Sequence, residues 1–432
     1  MAKNSSAGFY NGVATQSLRF DDGDSAVLSK TFGSAGDRKL WTFSTWFKIS
    51  EIGDGALFGA YESTAQRDVI RILSGTIGFQ IVKTGISTVN TNATLLIRDP
   101  SAWYHLVLQY NSADSTESNR TKLWINGVAQ TLSGIVGQNI DSHFGHSQYH
   151  SIGARRTADG NYDSPFDGYM ADTHYVNGTA LDYTSFAEFK NGVLIPKAYS
   201  GSYGTNGFYF KYDQVGVGTA STSTIGADSS GNTNHFTSTN IVASDCSIID
   251  SPENNFCTLN VLESAKKFAD ANQTLMTHSE GNLKFSGGRN VFGTIGVNSG
   301  KWYWEVINTS STVTSVSVSG VITQGTQAQV YGVYYNRNGN KGLGLLNGGA
   351  TESSYGATYT DDDIISVALN MDDNQITFFK NNASQGTITD ANLAGGDVIA
   401  WTQNGANSGT LVGVYNFGAD ASFAGEITAG TE

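Results

Sequence analysis

Apolar and polar residues alternate along many short segments of the chain, which is the pattern of strands with one buried face. The clearest example is the stretch RKLWTFSTWFKIS at Arg38–Ser50. One of its faces carries Trp41, Phe43, Thr45, Phe47 and Ile49, and we predict that this face is core. The other face carries Trp46 among small hydroxyls and a lysine. For Trp46 we predict packing beneath a covering segment, with a platform for a sugar ring as the alternative.

Such segments divide the chain into three zones. Residues 1–210 hold many strand patterns with short polar connections, which is typical of an antiparallel sandwich. Residues 211–280 are rich in Gly, Ser, Thr and Asn and include a helix pattern, ESAKKFADANQ at 263–273. Strand patterns return in residues 281–432. The sequence therefore predicts an all-β protein of two antiparallel β-sandwiches, joined by an irregular connector with one short helix.

One further helix is predicted inside the first zone. The segment TSFAEFKNG at Thr184–Gly192 has the length of about two helical turns, and Gly192 stands where a helix end favours glycine.

Charge and composition exclude several kinds of partner. The chain has a formal net charge of −13 and no long cluster of Lys or Arg, which argues against a nucleic-acid partner. No segment has the length and apolarity of a membrane helix, and residues 1–16 lack the apolar core of a secretory signal. We therefore predict no membrane insertion and folding in the compartment of synthesis. Cys246 and Cys257 are predicted to be thiols, because two cysteines do not make a disulfide framework.

Four segments of the first zone occur in the order typical of one domain family. They are WTFSTWFKIS at 41–50, WYHLVLQYNS at 103–112, KLWINGVAQ at 122–130 and FDGYMADTHYVNG at 166–178. This zone resembles a laminin-G-like, or concanavalin A-like, jelly roll. The third zone resembles a SPRY domain, on the strength of GKWYWEV at 300–306, DDIISVALNMDDNQITFFKNN at 362–382 and VYNFG at 414–418.

The connector has a resemblance of its own. GADSSGNTNHF at 226–236 and IIDSPENNFCTLN at 248–260 are similar to segments of tail-fibre and other virion proteins of marine phages. IPKAYSGSYGTNGFYF at 195–210 fits the same architecture. This resemblance implies a phage virion structural protein, made in the bacterial host cytoplasm. It favours a tail fibre or surface appendage that contacts the host surface through a glycan.

The same resemblance implies other virion proteins as partners and a symmetric homo-oligomer, often a trimer in such appendages. Two alternatives stay open. One is a head-decoration or adaptor protein without a receptor role. The other is a non-viral carbohydrate-binding module or degenerate glycosidase.

Catalytic motifs are incomplete throughout the sequence. We find no nucleophile elbow, zinc-protease pair, phosphate loop or dinucleotide fingerprint. Glycosidases need two carboxylates beside the scissile bond, and the E-x-D-x-x-E run that often supplies them is missing. The sequence therefore predicts a protein that is not an enzyme and needs no cofactor.

A loop at residues 154–165, ARRTADGNYDSP, is the predicted ligand-binding site. Within it we assign this role to Arg155, Arg156, Asp159 and Tyr162. Arginines supply forked donors to hydroxyls or carboxylates, and a tyrosine face can stack on a sugar. The alternative is a solvated loop in which the two arginines pair with Asp159 and Asp163.

Two other polar groups are weighed as metal sites. Asp228, Asn232 and Asn234 alternate oxygen donors around Gly231, so weakly bound calcium is one interpretation. We favour an Asx-type turn, because further carboxylates are missing. Three histidines at positions 143, 146 and 150 have a spacing that could ligate a metal, but we favour a polar loop entering a strand. We predict no metal site, with the calcium loop as the alternative.

Overall fold

The structure is a computed structural model that describes residues 8–262, 276–287, 290–312, 317–323, 330–345, 350–404 and 410–428. The chain divides into two compact units, Ser6–Asn255 and Phe256–Glu432. In its described part each unit has two antiparallel sheets, which confirms the predicted all-β fold of two sandwiches. Across these ranges, no helix is long and apolar enough to cross a membrane. The helix predicted at 263–273 lies outside the described residues.

Two sheets and two short ribbons build the first unit. Sheet 1 has the order Leu18–Phe20 (β1), Gly168–Asn177 (β15), Leu40–Ile49 (β3), Tyr104–Asn111 (β8), Thr121–Ile125 (β9), Val128–Ala129 (β10), with Phe208–Phe210 (β18) also on β15. Sheet 2 has the order Leu132–Ser133 (β11), Val89–Leu96 (β7), Thr76–Val82 (β6), Gln66–Leu73 (β5), Gly55–Ser63 (β4), Tyr149–Ile152 (β12), Val27–Thr31 (β2), Thr237–Thr239 (β19). The ribbons pair Arg155–Arg156 (β13) with Tyr162–Asp163 (β14), and Ala187–Lys190 (β16) with Val193–Pro196 (β17).

The core of this unit lies between sheets 1 and 2. Trp41, Phe43, Phe47 and Ile49 of β3 all belong to it, as their alternation predicts. Phe43 stacks on Phe58 of sheet 2, with ring centroids 5.0 Å apart. Apolar residues from both sheets thus meet across the sandwich, which is the arrangement that period-two strands require.

The outer face of sheet 1 is also covered. Trp46 is 4% exposed and packs with Ala171 of β15 and with Ala187 and Leu194 of the second ribbon. Its indole stacks on the His105 ring at a centroid distance of 4.6 Å. The predicted packing role of Trp46 is therefore confirmed, and the ribbon leaves no open sugar platform at this tryptophan.

The helix predicted at Thr184–Gly192 is wrong. A single 3-10 turn at Tyr183–Ser185 is followed by the β16–β17 ribbon, and Asn191 and Gly192 form its turn at φ values of 51° and 82°. An Asn-Gly pair accepts two successive positive φ angles and so favours a two-residue hairpin turn. A helix this short has little stability of its own, so the hairpin and its packing prevail.

The segment 211–255, which the sequence places in the connector, packs within the first unit. Tyr212, Ile225 and Phe236 are each at most 1% exposed and belong to its core. A 3-10 turn at Ala243–Asp245 brings the Asp245 carboxylate to Arg19 of β1, where the buried ion pair measures 2.9 Å. Isolated aromatics among Gly and Ser residues thus complete this sandwich.

The second unit also consists of two sheets. Sheet 3 has the order Met276–Ser279 (β20), Lys284–Gly287 (β21), Leu411–Asn416 (β32), Lys301–Ser311 (β23), Ile364–Asn370 (β28), Gln375–Lys380 (β29), Ala383–Thr389 (β30). Sheet 4 has the order Asn290–Phe292 (β22), Val398–Asn404 (β31), Ser317–Thr323 (β24), Tyr331–Asn336 (β25), Asn340–Leu345 (β26), Thr351–Ser354 (β27). Two further 3-10 turns occur in the described chain, at Glu117–Asn119 in the first unit and Ala391–Gly395 in the second.

The second core lies between sheets 3 and 4. Val306, Val333 and Phe378 are fully buried in it. The turn from β29 to β30 uses Asn381 and Asn382 at φ values of 45° and 64°, in place of the usual Asn-Gly. Asparagine tolerates this left-handed region better than most residues, so the pair can form the hairpin turn.

Candidate functional site

The outer face of sheet 2 presents a band of polar side chains. Along β5, Ile70 and Ile72 point into the core, so Arg67, Val69 and Arg71 point outward. The same alternation sends side chains of neighbouring strands to this face. We call this surface the platform and define it by Tyr61, Arg67, Arg71, Gln80, Asn90, Asn92 and Tyr149.

Amide side chains form one half of the platform. Gln80 of β6 lies opposite Asn90 of β7, and its Nε2 donates to Asn90 Oδ1 at 2.8 Å. Asn92 lies opposite Gly78, where an added Cβ would come within 2.3 Å of Asn92 Oδ1. Glycine at position 78 therefore leaves room for the Asn92 amide to lie flat on the sheet.

The β13–β14 ribbon lies across the other half of the platform. It crosses β4 at Gly59, where an added Cβ would stand 3.8 Å from the Cα of Arg155. Val69, the partner of Gly59 on β5, points outward and is still only 1% exposed. The ribbon backbone is thus in van der Waals range of β4 at position 59.

Three of the four predicted site residues meet at this ribbon. Arg155 binds Asp163 in a bidentate pair, with Nε to Oδ1 at 2.6 Å and Nη2 to Oδ2 as the second bond. The Arg156 guanidinium lies 4.2 Å from the centroid of the Tyr149 ring. Tyr162 joins the group through a hydrogen bond of 2.6 Å between its hydroxyl and that of Tyr149.

The fourth predicted residue, Asp159, lies at the tip of the ribbon's turn. Its carboxylate accepts hydrogen bonds from the Thr157 hydroxyl and, at 2.7 Å, from the Asn161 amide. These bonds, with that of Thr157 the strongest influence, lower the pKa of Asp159. Asp159 therefore shapes the turn, while the pairing with Arg155 falls to Asp163.

Sequence reasoning missed two arginines of the platform. Burial lowers the pKa of both Arg67 and Arg71, and the nearby charge of Arg155 lowers it further. Arg67 Nη1 donates to the Thr64 carbonyl. The sequence QRDVIRIL at 66–73 already indicates that Arg67 and Arg71 lie on the same face of the strand, because residues four apart on a strand share one face.

Comparison with known protein families assigns both units. Residues 21–182 match the family model described as the concanavalin A-like lectin/glucanases superfamily. Residues 301–407 match the model of the SPRY domain. The chain contains a concanavalin A-like domain and a SPRY domain. The platform lies entirely within the matched part of the concanavalin A-like domain, and no curated protein sequence matches the chain.

Solved structures of low sequence identity resemble the chain in part. A SAP-like pentraxin from Limulus polyphemus is 15% identical, with a TM-score of 0.31, over 40% of this chain and 79% of its own. The SPRY domain of human HERC1 is 15% identical, with a TM-score of 0.28, over 35% of this chain and 97% of its own. Domains LG4-5 of the mouse laminin alpha1 chain are 10% identical, with a TM-score of 0.32, over 94% of this chain and 83% of their own.

Two of the three histidines of the 143–150 loop have separate structural partners in the concanavalin A-like domain. His143 Nδ1 lies 3.0 Å from Asp68 Oδ1, and His150 Nδ1 lies 2.9 Å from the Gln148 carbonyl. His146 is partly exposed, and burial lowers its pKa. Within the described ranges no cluster of three or more His, Cys, Asp or Glu side chains is placed to hold a metal ion.

Two buried histidines should make this domain less stable in acid. Burial lowers the pKa of His105 to about 3 and that of His150 to about 4. Above pH 6.5 both are neutral in the folded and unfolded chain. As the pH falls from 6.5 towards 4, the unfolded state takes up protons that the folded state refuses. Each histidine then costs up to about 1.4 kcal/mol of unfolding free energy per pH unit.

The variant His105→Gln isolates this contribution, because glutamine does not titrate. We expect the loss of unfolding free energy between pH 7 and pH 5 to be smaller in the variant than in the wild type. Chemical denaturation at the two pH values measures it. Equal losses in both proteins would show that His105 does not carry the effect.

The Asp228 loop of this domain has the hydrogen bonds of an Asx-type turn. Asp228 accepts from the backbone N–H groups of Tyr209, Ser230 and Asn234 at 2.8–2.9 Å, and from the Ser230 hydroxyl. The side-chain amide of Asn232 donates to the carbonyls of Gly204 and Gly207. These bonds fasten the loop to the end of β18, and calcium binding there stays an untested alternative.

Both cysteines are thiols, as predicted. Burial raises the pKa of Cys246 to about 12, and its Sγ lies 3.3 Å from the Val242 carbonyl. Cys257 Sγ lies 3.4 Å from the Thr258 carbonyl. A thiol with so high a pKa has almost no thiolate at neutral pH, so Cys246 is a packing residue.

Proposed function

We propose that this protein is a structural protein of a phage virion, a tail fibre or similar surface appendage that contacts the host surface by binding a glycan. The observation that carries the proposal is the platform, a sheet face lined with arginine, amide and tyrosine side chains. The matched family includes lectins, which supports carbohydrate as the ligand class. The resemblance of segments 226–236 and 248–260 to phage virion proteins supports the phage virion as the place where the protein acts.

The platform has the chemistry that sugar hydroxyls require. Guanidinium groups supply forked donors, amides supply both a donor and an acceptor, and tyrosine rings supply faces for stacking. Several of these groups are already held in place, by the 2.8 Å bond of Gln80 to Asn90 and the stacking of Arg156 on Tyr149. Groups that are ordered before binding lose less conformational entropy when the ligand arrives.

The proposed role is binding without catalysis. Two carboxylates, Asp54 and Asp163, lie near the platform arginines, and their charges partly offset the lowering of the pKa of Arg71. Asp163 is held by Arg155, and Asp54 Oδ1 accepts from the Ser74 backbone at 2.8 Å. A glycosidase needs one carboxyl group to protonate the leaving oxygen and a second to attack or activate water. Both carboxylates already have structural partners, so they do not suit this chemistry.

Several copies of the chain would make a platform of modest affinity effective. Linked sites bind a repeating polysaccharide with a high effective concentration, which multiplies the overall affinity. The proposal therefore includes a symmetric homo-oligomer, with the trimer favoured, attached to other virion proteins. Light scattering of the purified protein gives the number of chains.

Immunogold labelling of intact phage particles tests the virion setting. Label on the tail fibres or tail tip supports the appendage role. Label on the head shell would replace it with a decoration role. If particles carry no label, the virion proposal fails, and a free carbohydrate-binding module takes its place.

Replacing one amide of the platform should weaken glycan binding. We expect Gln80→Ala to lower the affinity for a bound polysaccharide roughly 3- to 10-fold, the effect of one or two lost hydrogen bonds. Binding of the full chain to a polysaccharide array measures this. The matched control is Gln138→Ala, because Gln138 is exposed outside the platform. If both variants bind like the wild type, Gln80 does not contribute to glycan binding.

A further inference from the structure

The platform concentrates positive charge on an acidic protein. The chain has a formal net charge of −13 and 25 Lys and Arg residues among 432. Arg155 is nevertheless close enough to Arg67 and Arg71 to lower the pKa of both, and Arg67 lowers the pKa of Arg71 further, while Arg156 lies next to Arg155 in the ribbon. Three guanidinium groups, those of Arg67, Arg71 and Arg155, thus lie near two carboxylates, Asp54 and Asp163.

Arg71 stands out because the other three arginines have partners. Arg155 is paired with Asp163, Arg156 stacks on Tyr149, and Arg67 donates to the Thr64 carbonyl. Within the described part of the chain, no carboxylate or carbonyl lies within hydrogen-bonding distance of the Arg71 guanidinium. The charges that influence its pKa are Arg155, Asp54, Arg67 and Asp163; the two cations lower it and the two carboxylates raise it.

The residues beside Arg71 are small. In the register of sheet 2, Arg71 lies opposite Ala56 on β4 and opposite Gly78 on β6. Neither neighbour has a side chain long enough to cover the guanidinium. Arg71 is only partly buried, so a ligand that approaches this face can reach its guanidinium.

Holding this cation in place costs free energy in the unbound protein. Partial burial and two neighbouring positive charges both disfavour it, and they lower its pKa. A carboxylate bonded directly to the guanidinium would offset this cost, but Asp54 and Asp163 act on Arg71 only from a distance, and no other described residue makes that bond. An anionic ligand would supply the missing charge, and guanidinium forks match the geometry of carboxylate and sulfate groups.

We infer that the platform binds an anionic polysaccharide, and that a carboxylate or sulfate group of an acidic sugar rests on Arg71 between Arg67 and Arg155. This inference rests on the proposed function and names its ligand class. The amides Gln80, Asn90 and Asn92 then hold the hydroxyls of the same or the next sugar. The negative charge of the rest of the protein opposes polyanions in general, so recognition is local to the platform.

Matched pairs of polysaccharides test the charge requirement. The full chain is measured against polygalacturonate and its methyl ester, and against dextran sulfate and dextran. We expect at least tenfold tighter binding to the charged member of one pair. The pair that responds distinguishes a carboxylate from a sulfate ligand.

The variant Arg71→Gln tests the residue. We expect it to lose about tenfold in affinity for the charged polysaccharide, with no loss for the neutral one. Arg71→Lys keeps the positive charge but lacks the forked donors. Its affinity for the charged polysaccharide should therefore lie between those of the wild type and of Arg71→Gln. Arg98→Gln is the matched control, since Arg98 is exposed and is not among the charges acting on Arg71. The unfolding midpoint of each variant confirms folding, and Arg71→Lys serves if Arg71→Gln does not fold.

The outcomes separate this inference from the function on which it rests. Equal binding of charged and neutral polysaccharides, still weakened by Gln80→Ala, would overturn the anionic ligand and keep glycan binding. Charge-dependent binding that Arg71→Gln leaves unchanged would overturn the role of Arg71. If the wild type binds neither these probes nor any member of a broad glycan array, the proposed function itself fails.

Discussion

The substitution Asp250→Ala is expected to lower the free energy of unfolding of the concanavalin A-like domain by about 3–5 kcal/mol. Lys48 and Asp250 form an ion pair of 2.9 Å, and each side chain is 1% exposed. Asn255 Oδ1 also accepts from Lys48 at 2.9 Å, and the Trp103 indole donates to Asp250 at 3.0 Å. Removal of the carboxylate leaves a buried ammonium group without its counter-charge. Chemical denaturation of the full chain measures the loss.

Two further variants make this result interpretable. The double variant Lys48→Met/Asp250→Leu removes both charges and should recover most of the stability, because an apolar pair of similar volume often replaces a buried ion pair. Asp141→Ala is the exposed control. It breaks exposed pairs with Lys39 at 4.0 Å and with Lys83 at 3.7 Å, and it should cost about 0–1 kcal/mol. Equal losses of unfolding free energy in Asp250→Ala and Asp141→Ala would contradict the stabilising role of the buried ion pair.

The substitution Trp41→Ala is expected to destabilise the same domain by about 3–5 kcal/mol. The Trp41 side chain has no exposed surface. It stacks on Tyr110 at 5.0 Å and meets Phe144 and Phe79 edge-on at 5.2 Å and 5.5 Å. Alanine would leave a large cavity among these rings, which the rigid sandwich cannot fill.

The control for this cavity is Trp302→Ala in the SPRY domain. Trp302 is 39% exposed, so its removal opens no enclosed cavity, and we expect it to cost clearly less stability than Trp41→Ala. Thermal or chemical unfolding of both variants gives the comparison. A Trp41 variant as stable as the Trp302 variant would mean that the aromatic cluster does not hold the two sheets together.

The two sandwiches were predictable because strand alternation is local information. The core face of β3 can be identified from Trp41, Phe43 and Phe47 alone. The burial of Lys48 on the opposite face could not be foreseen, because its partner Asp250 lies 202 residues away along the chain. The same reason explains the segment 211–255, whose isolated aromatics give no periodic pattern of their own.

The candidate site was predictable in part. Arg155, Arg156 and Tyr162 belong to a Gly- and Asp-rich loop, a place where binding residues are common. Arg67 and Arg71 belong to an ordinary strand, and they join the group only because the ribbon folds back over Gly59. That contact depends on the tertiary fold. The sequence also could not separate Asp159 from Asp163 as the partner of Arg155.

A crystal structure of the full chain with an oligosaccharide selected on the array would locate the binding site directly. We predict the sugar on the outer face of sheet 2, with an acidic group within hydrogen-bonding distance of the Arg71 guanidinium and hydroxyls at Gln80 and Asn90. A sugar bound elsewhere, on the SPRY domain or on the Asp228 loop, with the platform empty, would contradict this assignment.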